Sequence, residues 1–185
     1  MIFLDLDNTL LDLSRPVASY MGYADLAADP SYPTTYDWAK DMGMSNDELW
    51  KRVEKAGPGF WERLPWTSWG ERLLTTICQT GHDVIVVSRI VGPSSAAGKK
   101  VWADRCLPPG VPLFLTDSIK WPLAAADRFL IDDAEDNVEE WESHGGTALL
   151  VPQTYNANHA LVGQEYNYLT KELWLLDLVS RWDIG

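Results

Sequence analysis

Cysteine is nearly absent. Cys78 and Cys106 are the only two, and their spacing fits neither a metal-ligand set nor a redox pair. A disulfide scaffold is excluded, and two unpaired thiols in a reducing compartment are expected. Positive charge is also scarce: 15 Lys and Arg stand against 27 Asp and Glu, a net charge of −12. No basic stripe marks a general nucleic-acid binder, so nucleic acid is not an expected partner. A small anion can still bind where a metal ion and one or two cations sit locally. No apolar run approaches the roughly 18 residues of a membrane span, and no basic segment precedes an apolar one as in a secretory leader. Gly145 and Gly146 read as a helix stop, because the surrounding pattern lacks a dinucleotide or phosphate loop. Together these absences point to a cytoplasmic protein with a small-molecule partner and no membrane contact.

Apolar material is plentiful. The chain is 46% hydrophobic over 185 residues, enough for one domain with a core that needs no staple. Tryptophan is abundant, with ten in all, and Trp38, Trp50, Trp61, Trp66 and Trp69 crowd one segment. Two readings of that crowding stand: packing of a small subdomain, or walls of a pocket for a flat ring.

Five short runs read as strands: residues 2–6, 83–88, 111–116, 128–132 and 147–152. Each is nearly continuous in apolar character, which suits a parallel sheet covered on both faces. Helical patterns over 68–81, 94–107 and 134–146 separate most of them, and a tail pattern over 170–182 places Leu175, Leu178, Val179 and Trp182 on one face. Alternating strands and helices imply an α/β doubly wound, Rossmann-like fold. The gap between the first two strands is far longer than one crossover needs. Residues 12–68 are therefore expected to form a small helical cap, with 1–11 and 69–185 as the core, and 55–66 as the return loop.

Polar residues cluster where strands stop. Asp5, Asp7 and Thr9 follow the first strand, Ser88 and Arg89 the second, Asp117 and Lys120 the third, and Asp132 and Asp133 the fourth. A doubly wound sheet brings those ends to one edge. Four neighbouring carboxylates repel unless a cation joins them, and oxygen-only ligands favour Mg²⁺ when the partner is a phosphate. Lys120 offers a fixed charge and Ser88 a hydroxyl, which suits a phosphoryl group. One carboxylate is then free as nucleophile, and its neighbour can serve as acid and base. Lys99 and Lys100 read as a solvated helix face. Asp136 and Asn137 are candidates for steadying Asp132 or Asp133, and His82, His144 and His159 read as structural.

"DLDNTLLD", "VVSR", the lysine of "TDSIKWP" and "LIDDAEDNVEEW" together resemble the four-motif pattern of the haloacid dehalogenase (HAD) superfamily of phosphotransferases. The resemblance implies Asp5 as nucleophile, Asp7 as general acid/base, and Ser88 and Lys120 as phosphate ligands. It implies Mg²⁺ held by Asp5, the Asp7 carbonyl and Asp133, with Asp132 direct or through water. "FWERLPW" and "HGGTALLVPQTYN" are similar to stretches of the 5′(3′)-deoxyribonucleotidase group, which implies a nucleoside monophosphate with Phe60 and Trp61 near the base. Thr9 joins the expected substrate-binding set, although a turn-stabilising hydroxyl is its commoner use. Arg89 stands where that group is expected to carry a small polar residue and proline; it is a candidate for the leaving group or for the cap. The alternatives are a phosphatase for sugar phosphates or other small esters, and a nucleotide-binding module without turnover.

Overall fold

The five apolar runs form five strands, each within two residues of its expected ends. They are β1 (Ile2–Asp5), β2 (Val84–Arg89), β3 (Leu113–Thr116), β4 (Phe129–Asp132) and β5 (Thr147–Leu150). The structure is a computed structural model and describes residues 1–176 and 178. All pairings are parallel, in the order β3-β2-β1-β4-β5. Alternate residues of each central strand feed opposite faces, as the two-residue period of a strand requires. Ile2, Leu4, Val84, Val86, Phe129 and Ile131 enter the larger core, while Phe3, Val87 and Leu130 enter a smaller one. Burial on both sides explains why the runs of the central strands β1, β2 and β4 are apolar.

Helices cover both faces. The larger core takes Leu73, Leu74 and Ile77 from α6 (Gly70–Cys78), and Trp102 and Ala103 from α7 (Pro93–Cys106). The smaller face is closed by α8 (Glu135–Ser143), whose buried Trp141 lies 5.2 Å from Phe3, ring centre to ring centre. The last helix, α9 (Glu165–Leu175), starts five residues before its expected position. Its buried face is Leu169, Thr170 and Leu173, and Leu175 is exposed, which corrects the expected stripe. The Glu165 carboxylate accepts the Gly163 N–H at 2.7 Å, so the helix begins at that turn and its phase is set there. Val179 and Trp182 lie outside the described residues. No helix among the described residues is long and apolar enough to cross a membrane, and Cys78 and Cys106 are both free thiols.

Between β1 and α6 the chain makes α1 (Ser14–Tyr20), α2 (Ala24–Ala28), α3 (Trp38–Asp41), α4 (Asn46–Glu54) and α5 (Pro58–Trp61). The stretch expected as a return loop thus contains a helical turn, begun by Pro58 at its first position. Ser45 caps α4 by accepting the Glu48 N–H at 3.2 Å. Two backbone bonds close the base of this insertion, Asp12 N–H to the Pro65 carbonyl at 3.0 Å and Thr67 N–H to the Leu10 carbonyl at 2.8 Å. Its apolar residues Trp38, Leu49, Val53 and Trp61 are continuous with the larger core.

Candidate active site

β1 and β4 are neighbours in space but far apart in sequence, and the sheet changes direction between them. In such a fold, ligands bind beyond the carboxyl ends of strands at that switch point. Leu4 registers with Ile131, so the next residues, Asp5 and Asp132, leave the sheet side by side. Asp133 follows. Ligand oxygens of Asp5, Asp132 and Asp133 all lie within 4.8 Å of one another, and all three residues are buried.

Lys120 sits among these carboxylates. Its ammonium donates to Asp5 Oδ1, and to Asp132 Oδ2 at 2.7 Å. Burial disfavours the charged lysine, but Asp132 and Asp5 outweigh it and hold its pKa well above the usual value. One ammonium does not balance three carboxylates. Burial, with Asp132 and Asp7 nearby, pushes Asp5 up to about 7 against the pull of Lys120. Burial also raises Asp133 well above the carboxylate range; Asp5 and Asp132 add to this, and the Tyr155 hydrogen bond and Lys120 oppose it. The residual negative charge and oxygen-only donors suit a hard divalent cation such as Mg²⁺, and the three carboxylates fit that group.

Neighbours fix each carboxylate. Asn137 donates to both Asp132 oxygens at 3.1 and 3.0 Å, and the Ala134 N–H donates to Oδ1 at 2.9 Å. Asp136 is exposed, so the steadying residue is Asn137. The Thr9 hydroxyl donates to Asp133 Oδ1 at 3.2 Å and the Tyr155 hydroxyl to Oδ2. Tyr155 also accepts from Asn8 Nδ2 at 3.3 Å. Asn8 has a positive φ of 58° and its side-chain oxygen accepts the N–H groups of Leu13 and Ser14, both at 3.1 Å. Asparagine tolerates that left-handed turn, which carries the chain from β1 into the insertion.

Asp7 stands apart from the acidic cluster. Ser88 donates to Asp7 Oδ2 at 3.3 Å, and the Lys99 ammonium donates to the same oxygen. Lys99 is 1% exposed, which corrects the expectation that Lys99 and Lys100 form a solvated face; Lys100 alone is exposed. The other Asp7 oxygen, Oδ1, is buried without a partner.

A cavity of about 550 Å³ opens over these groups, within the roughly 300–1,000 Å³ common for small-molecule sites. Asp5, Asp7, Arg89, Lys120, Asp132 and Asp133 line its floor at the strand ends, and Tyr36, Trp38, Trp50 and Trp61 line it from the insertion. The three tryptophans among these are packed in or against the larger core and also line the cavity. Trp66 instead packs on Trp102, and the Trp69 indole N–H donates to the Thr9 carbonyl at 3.0 Å. Phe60 lies outside the cavity, packed on Tyr20 at 5.6 Å. Ser88 and Thr9 are fully buried behind the floor, so in this structure Ser88 meets Asp7 and Thr9 meets Asp133.

Tyr155 and Lys99 are the residues at the site that strand-end reasoning did not assign. Asn137 carried a local signal, five residues beyond the end of β4. Tyr155 and Lys99 reach the site across 22 and 92 residues of chain.

No family model matches the sequence, and no curated protein does. Solved structures do. A HAD family hydrolase from Deinococcus radiodurans R1, with bound phosphate and sodium, is 13% identical over 97% of this chain and 96% of its own, with a TM-score of 0.58. A hydrolase from Streptococcus pneumoniae TIGR4 is 14% identical over 88% and 97%, with a TM-score of 0.55. The L-2-haloacid dehalogenase of Xanthobacter autotrophicus, with chloropropionic acid covalently bound, is 12% identical over 94% and 86%, with a TM-score of 0.53. The chain thus has the α/β fold of the HAD-family hydrolases.

Proposed function

We propose that the protein is a HAD-type phosphomonoesterase that requires Mg²⁺ and hydrolyses a nucleoside monophosphate through an aspartyl-phosphate. The convergence of Asp5, Asp132, Asp133 and Lys120 at the switch point carries this reading, with Asp7 beside them in the same cavity. Asp5, Asp132 and Asp133 would hold Mg²⁺. The ion supplies positive charge to the phosphoryl oxygens and keeps the carboxylates ionised.

Asp5 attacks phosphorus with its carboxylate oxygen, and the bond to the ester oxygen breaks. Asp7 gives that oxygen a proton. Water then attacks the phosphorus of the aspartyl-phosphate, Asp7 takes the water's proton, and Asp5 is regenerated with inorganic phosphate released. Lys120 opposes charge on the equatorial oxygens throughout. A departing halide needs no proton, whereas an alkoxide does. Asp7, a carboxyl group lining the cavity, therefore favours ester hydrolysis over dehalogenation.

Tyr36, Trp38, Trp50 and Trp61 offer rings for stacking a base, which supports the nucleotide. A sugar phosphate is the second reading, favoured by Asp37, Asn46, Asp117 and Ser118 in the same lining, which suit hydroxyl groups. Phosphate release measured with Mg²⁺ across nucleoside monophosphates and sugar phosphates separates them. Preference for the nucleotides supports the proposal, and preference for the sugar phosphates replaces it with the second reading. No release from any ester, with the protein folded and Mg²⁺ present, leaves a binding module.

A further inference from the structure

Lys99 is a fully buried cation with no place in the reaction as described. It lies six residues into α7, behind the cavity floor and outside its lining. Its ammonium donates to Asp7 Oδ2, to the Ser88 hydroxyl at 3.0 Å and to the Arg89 carbonyl at 2.6 Å, which uses all three N–H groups. Burying a charge this deeply is costly unless it is paired, and Asp7 is the partner. The contact is one-sided. Lys99 and Ser88 both hold Oδ2, while Oδ1 is left buried and without a partner in a residue that lines the cavity.

The insertion closes over this lysine. The Trp61 ring of α5 lies 5.1 Å from the Lys99 ammonium, a cation–π distance. Gly98 makes that approach possible, since a Cβ there would come within 2.5 Å of the Trp61 Cβ and closer still to the Pro58 carbonyl. Trp61 itself lines the cavity.

We propose that Lys99 is the positioning residue for Asp7: together with Ser88 it pins Oδ2 and so fixes how the carboxylate is presented at the cavity, and Trp61 holds the lysine there. The inference rests on the phosphatase reading above. Lys99 acts through Asp7 and does not touch phosphate.

Lys99→Met keeps most of the side-chain volume and removes the charge. The test compares it with the wild type on two esters: a nucleoside monophosphate, whose alkoxide must be protonated to leave, and p-nitrophenyl phosphate, whose phenolate leaves unaided. Turnover of the nucleotide should fall on the order of 100-fold, the scale for losing general acid–base catalysis. With the nitrophenyl ester, the first turnover should remain as a burst of nitrophenolate equal to the enzyme present. A slow steady state should follow, because water attack on the aspartyl-phosphate also needs Asp7. Inhibition by inorganic phosphate should be unchanged. The comparison is made within one variant, so a partly unfolded preparation scales both esters alike. Equal loss on both esters without a burst overturns the inference, as does weakened phosphate inhibition, which would make Lys99 a direct phosphate ligand. A wild-type protein inactive on both esters overturns the phosphatase reading, and the inference with it.

Discussion

Lys120 bridges Asp5 and Asp132, joining by one ammonium two strands that are 127 residues apart in sequence. Its position ties the would-be nucleophile to the acidic pair at the end of β4, and it lines the cavity they share. The same cation offsets part of the carboxylates' charge and, on the proposed function, would face an incoming phosphoryl group.

Replacing that cation should be severe. Lys120→Met is expected to lower turnover by about 100-fold or more, the scale for one preorganised charge-stabilising group. Steady-state phosphate release checks it, with circular dichroism confirming the fold. A loss smaller than about threefold would assign the role to another cation.

Protons and metal compete for the same oxygens. Asp5 sits near about 7 and Asp133 is also raised, mainly through burial, yet Mg²⁺ needs both as carboxylates. Metal affinity should therefore weaken as pH drops from about 8 to about 5.5. Without metal the sign reverses. Between the ordinary aspartate value of 3.8 and about 7, the folded site holds a proton on Asp5 that the unfolded chain has lost, so this group's contribution to stability shrinks as pH rises through that window. The rise in melting temperature on adding Mg²⁺, followed against pH, reads both effects; a rise that does not grow with pH contradicts them.

Tyr155 is expected to matter through Asp133. Tyr155→Phe removes the hydroxyl from Oδ2 while keeping the ring that packs at 5.8 Å on Tyr36. Loss of such a supporting bond should weaken Mg²⁺ binding by about 10–100-fold. The Mg²⁺ concentration giving half-maximal activity, and the corresponding thermal shift, measure it. Saturating Mg²⁺ should restore much of the turnover.

A control lies on the opposite face of the sheet. Trp141 is fully buried against Phe3 and Leu130, and Trp141→Ala should cost about 3–5 kcal/mol of stability. Denaturant titration reads the loss. Activity per folded molecule should remain, because the side chain does not line the cavity.

The strands were legible because each is a short, nearly continuous apolar run bounded by turn residues. The acidic edge was legible because a doubly wound sheet converts strand ends into neighbours. Asp5, Lys120, Asp132 and Asp133 needed nothing more than that rule to be grouped. Lys99 was not legible. Its helix carries apolar and polar residues with little one-sidedness, and the carboxylate that justifies its burial comes from the turn after β1. Tyr155 was hidden likewise, in a loop after β5 without periodicity. The phase of α9 was misjudged because the turn at Gly163 that starts it precedes the apolar residues used to place it. Phe60 and Trp61 are adjacent in sequence, yet only the second reaches the cavity, since neighbours on a helical turn point in different directions.

The most direct measurement is to look for the phosphoryl group on Asp5. The protein is mixed with Mg²⁺ and a nucleoside monophosphate, quenched in acid during turnover, digested, and its N-terminal peptide weighed. The expected result is a fraction of that peptide heavier by one phosphoryl group in the wild type, absent from Asp5→Asn, which should fold normally and release no phosphate. Phosphate release at a near wild-type rate by Asp5→Asn would contradict it.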